Sequence, residues 1–63
     1  MSGAECLTAA EAAALARRPE GTLAYWRHVG EGPKYARIGK RVLYRRADVV
    51  AWLEAQFEQE PSP

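Results

Sequence analysis

Apolar residues recur at helical spacing in three stretches of this chain and alternate in a fourth. The first stretch follows Thr8-Ala9-Ala10-Glu11, a capping-box sequence. There the Thr8 hydroxyl accepts from the Glu11 amide and the Glu11 carboxylate reaches back. Leu7 stands where a hydrophobic staple residue belongs, and Ala12, Leu15 and Ala16 make a core stripe of mostly small residues. Pro19 ends this helix, since it disfavours helical backbone at Arg18. A second helix is predicted from Glu20 to His28 or Val29, with Gly30 as its stop. Leu23 and Trp26 are three apart and point inward together, leaving Gly21, Ala24, Arg27 and His28 toward the opposite side.

Tyr35 to Ile38 and Val42 to Tyr44 read as two strands of a hairpin. Loop length decides which side chains share a face. A two-residue loop pairs Ile38 with Arg41. A three-residue loop, Gly39-Lys40-Arg41, pairs Ile38 with Val42 and Ala36 with Tyr44, which gives one coherent apolar face. The three-residue loop is therefore expected, with Arg37 and Leu43 facing out. From Arg46 a third helix carries Val49, Trp52, Leu53 and Phe57 as its apolar stripe. Residues 1–6 and 58–63 are expected to be flexible ends around a folded unit at 7–57. The order is helix, short turn, helix, hairpin, helix: a small α+β domain containing a helix-turn-helix candidate.

Composition narrows the chemistry. One Cys and one His in 63 residues exclude a disulfide framework or a zinc site within one chain. No carboxylate pair, Cys–His pair or Ser-His-Asp set stands out, so no enzyme, cofactor or small-molecule ligand is expected. No apolar run reaches the ~20 residues of a membrane span, no leader sequence is visible, and a cytoplasmic setting is expected. The net charge of +1 conceals a segregation. All nine Lys and Arg fall between Arg17 and Arg46, where the net charge is +7, while the flanks carry −6. A solvated loop region accounts for the basic middle but not for acidic flanks. A phosphate-facing side accounts for both.

On that reading the second helix enters the major groove of double-stranded DNA. Arg27 is the strongest base or phosphate candidate, because its fork fits guanine or phosphate. Gly21 and Ala24 permit close approach, and Thr22 and His28 lie on the same outer region. Tyr25 is expected to lie partly on the core with its hydroxyl near a phosphate. Arg18 and Glu20 flank the helix entry, where Glu20 suits the dipole. Lys40 and Arg41 form the hairpin tip, and Arg37, Arg45 and Arg46 line the backbone path. A protein-interaction surface is the competing use of Trp, Tyr and Arg.

The stretch LTAAEAAALARRPEGTLAYWR, Leu7 to Arg27, resembles the helix-turn-helix of small excisionase and MerR-type DNA-binding domains. Its Leu-Thr opening, Glu11 and Thr-Leu-x-x-Trp helix match that pattern. So do RIGKRVLYRRADVVAWL, Arg37 to Leu53, through Arg-Ile-Gly, Tyr-Arg and Asp-x-x-x-Trp-Leu. Arg17 and Pro19 depart from it, where the family often has Gly and Ser. The resemblance implies a winged helix-turn-helix whose hairpin tip reaches the neighbouring minor groove or its phosphates. It also implies a role in biasing an integrase toward excision near attachment sites, or in transcription regulation. Implied partners are DNA, a site-specific integrase and further copies side by side on DNA.

Overall fold

The computed structural model describes residues 5–59. Its elements are β1 (Cys6–Thr8), α1 (Ala9–Ala16), α2 (Glu20–Val29), β2 (Ala36–Ile38), β3 (Arg41–Arg45) and α3 (Arg46–Gln59). Three helices pack with a three-stranded antiparallel sheet of order β1-β3-β2, a winged helix-turn-helix.

Local signals start and stop the helices as expected. Thr8 Oγ1 accepts from the Glu11 amide at 3.1 Å, and Glu11 Oε1 accepts from the Thr8 amide at 2.9 Å. This box satisfies donors that a helix start leaves open. Arg17 ends α1 in the left-handed conformation, φ 59° and ψ 39°. The Arg17 amide donates to Ala14 and the Arg18 amide to Ala13, a Schellman closure made with Arg where glycine is usual. Pro19 caps α2 without a side-chain hydrogen bond, and Gly30 ends it at φ 80°.

Five expectations are corrected. Cys6 is not in a loose end: β1 pairs Cys6 with Arg45, Leu7 with Tyr44 and Thr8 with Leu43. The Glu5 carbonyl accepts from the Arg46 amide, which clamps this strand to the start of α3. Residues 1–4 lie outside the described residues. At the other end Glu58 and Gln59 are helical, and 60–63 lie outside the described residues.

The hairpin has a two-residue loop, Gly39-Lys40, and pairs Ile38 with Arg41, Arg37 with Val42 and Ala36 with Leu43. Gly39 takes φ 63° at the first loop position, where a two-residue turn favours glycine. Antiparallel partners point to the same side of a sheet. Leu7, Tyr44 and Val42 therefore share the core side with Arg37, whereas Ile38, Ala36 and Leu43 lie on the outer side. Ile38 is 60% exposed.

Phe57 is not in the core either; it is 79% exposed. The core is Leu7, Ala12, Ala13, Leu23, Tyr44 and Val49, with Ala9, Leu15, Trp26, Val42 and Leu53 packed against it. Tyr25, the fifth correction, is 61% exposed and does not lie on the core.

Candidate nucleic-acid interface

The outer face of α2 is built of small and polar residues. Gly21, Ala24, Tyr25 and His28 are exposed, Thr22 is half-buried, and Glu20 and Arg18 stand exposed at the helix entry. Leu23 is fully buried on the opposite side. A Cβ added at Gly21 would meet nothing within 4 Å, so the front of this helix is open. Glu20 lies in the first turn, where its charge complements the dipole, and Arg27 and His28 lie in the last turn.

Arg27 is placed differently from the other outer-face candidates. It follows Leu23 by four residues, which sets it at the flank of the buried side rather than opposite it. Its guanidinium Nη1 donates to Tyr44 Oη at 2.8 Å in a part-buried hydrogen bond. The guanidinium carbon also stands 5.9 Å from the Tyr35 ring centroid, and the Tyr35 and Tyr44 rings are 6.0 Å apart. Tyr44 itself is 2% exposed. Sequence reasoning missed this contact, because its partners stand 17 positions apart.

The hairpin places its cations in two settings. Lys40 occupies the turn, Arg41 opens β3, and both are exposed, as is Arg37. Arg45 Nε lies 3.4 Å from Asp48 Oδ2, and Arg46 Nε lies 3.9 Å from Glu5 Oε1. These exposed pairs contribute little stability, but each puts a carboxylate beside a residue expected on the phosphate path. Sequence reasoning missed Glu5 and Asp48 as partners because each sits across an element boundary.

Gly32 fixes the link between α2 and the hairpin. At φ 87°, its absent Cβ would lie 2.9 Å from Trp26 Cε3. The loop thus folds flat on the Trp26 ring, and Pro33 beside it is buried. Among the described residues no group of three or more His, Cys, Asp and Glu could hold a metal ion. No helix there is long and apolar enough to cross a membrane.

A family model described as a helix-turn-helix domain matches residues 6–56. That match spans both helices of the motif, the hairpin and most of α3. No curated protein matches the chain, and no solved structure matches it.

Proposed function

The chain belongs to the helix-turn-helix domain family and is a DNA-binding domain; from that premise we propose that it is a sequence-specific DNA-binding protein of excisionase type. In this reading α2 lies in the major groove through Gly21, Thr22, Ala24, Tyr25 and His28. Lys40 and Arg41 follow the adjacent minor groove, whose negative potential favours basic side chains. Arg18, Arg37, Arg45 and Arg46 neutralise phosphates along the flanks. The observation that carries it is the open, small-residue front of α2 together with an exposed Lys-Arg hairpin tip.

The partners in this reading are double-stranded DNA, a site-specific integrase whose balance is tipped toward excision, and further copies side by side on the site. The test adds the chain to a recombination assay with the recombinase encoded nearest to it. A shift of products toward excision supports the excisionase role. Unchanged products, with a nearby promoter responding instead, would assign a MerR-like role in transcription. Indifference of duplex binding to salt would count against DNA altogether, since phosphate contacts make affinity fall steeply with salt.

A further inference from the structure

The Arg27 side chain spans two structural units that must keep a fixed angle if one molecule is to engage two grooves. It leaves α2, donates to Tyr44 Oη at 2.8 Å, and stands over the Tyr35 ring. Tyr44 lies in β3, the middle strand, paired on one side with β2 and on the other with β1. It packs in the same core as Leu23, from the inner side of α2. Tyr35 directly precedes β2. One guanidinium therefore meets α2, the approach to the hairpin and the centre of the sheet.

We infer that Arg27 is a positioning residue: it sets the angle between α2 and the hairpin through Tyr44 and Tyr35, and does not read a base. The inference rests on the DNA-binding reading above and refines the role of one residue in it. A fork that reads guanine must present two nitrogens toward the groove. Here Nη1 is committed to a hydroxyl within the fold, and the side chain is half-buried at the flank of α2. A hydrogen bond from a charged donor to a buried acceptor is among the stronger ones in a fold. The bond takes only one of the five guanidinium N–H donors, but it holds the fork against the sheet; swinging it out to a base edge would break the bond and leave a buried tyrosine hydroxyl unsatisfied.

Tyr44→Phe gives the decisive variant, because it removes only a hydroxyl and keeps the core ring. The probe is a labelled short duplex selected by the parent chain from a randomised pool, with each base pair then varied in turn. The expected result is a loss of about tenfold in affinity for both Tyr44→Phe and Arg27→Ala. The double variant should lose no more than either alone, and the base preferences should weaken together across the site. Hydrogen exchange on the free protein supplies a readout without DNA. The amides that pair β2 with β3 should exchange faster in both variants, while those of α1 stay protected. Arg27→Ala erasing the preference at a single base pair, with Tyr44→Phe binding as the parent, would overturn the inference. Should the parent select no duplex, the DNA reading fails by itself. Hairpin exchange unaltered in both variants would then still overturn the positioning role, and faster exchange would sustain it.

Discussion

The Trp26 and Trp52 rings meet with their centroids 4.8 Å apart and their planes tilted by 48°, joining α2 to α3. Leu23, on the same side of α2 as Trp26, is fully buried in the core. The orientation of α2 thus depends on one tryptophan pair and one leucine. In a domain this small, with limited buried surface, that is a large share of the support.

Trp26→Ala should therefore destabilise the fold by about 3 kcal/mol, the low end for a tryptophan because the ring is only half-buried. Domains of this size have little more than that in reserve. Thermal unfolding followed by circular dichroism measures it. A midpoint equal to the parent's would place the ring outside the support of α2.

Two glycines with positive φ should behave unequally. Gly32→Ala meets both an unfavourable backbone conformation and the Trp26 ring at 2.9 Å, and is expected to cost at least about 2 kcal/mol. Gly39→Ala meets the backbone term alone, in open space, at about 1 kcal/mol. Chemical denaturation of the two variants side by side gives the order. A reversed order would mean that the loop does not press on Trp26.

Arg17 offers a stabilising change. Its left-handed backbone, φ 59°, strains a residue with a Cβ. Arg17→Gly removes that strain, partly offset by the freedom glycine gains in the unfolded chain, for a net gain of roughly 0.5–1 kcal/mol. A lower melting temperature would show that the Arg17 side chain makes a contact worth more than the strain.

What could be read from the sequence divides along the range of each signal. The Thr8–Glu11 box, the Pro19 break and the Gly30 stop are local, and each fell where the residues indicated. β1 was not legible, because Cys6–Thr8 becomes a strand only by using the free side of β3. The hairpin register misled because apolar residues occupy both faces of the sheet. Ile38 and Leu43 lie outside, Val42 and Tyr44 inside, so alternation alone cannot choose a loop. Phe57 has the right spacing for the core, but the 14-residue α3 extends past the elements it packs on. The outer-face residues of α2 were legible from Leu23 and Trp26. Arg27 was not, because a residue four after Leu23 borders the buried side and its partner is 17 positions away.

The hairpin tip gives the sharpest test of the segregated charge. Lys40 and Arg41 are exposed, and neither forms part of the core, so changing both to Ala should leave the stability within about 0.5 kcal/mol of the parent's. If both neutralise phosphates, the double change removes two ion contacts. The slope of log affinity against log salt should then shrink by roughly two units, about one for each contact. Phosphates carry no sequence, so the weakening should be similar on a selected duplex and on unrelated DNA. A tip that follows a narrow minor groove would instead lose most on sites with A·T-rich flanks. An unchanged slope in a folded variant would place the hairpin away from DNA, leaving the +7 middle of the chain to face some other acidic partner.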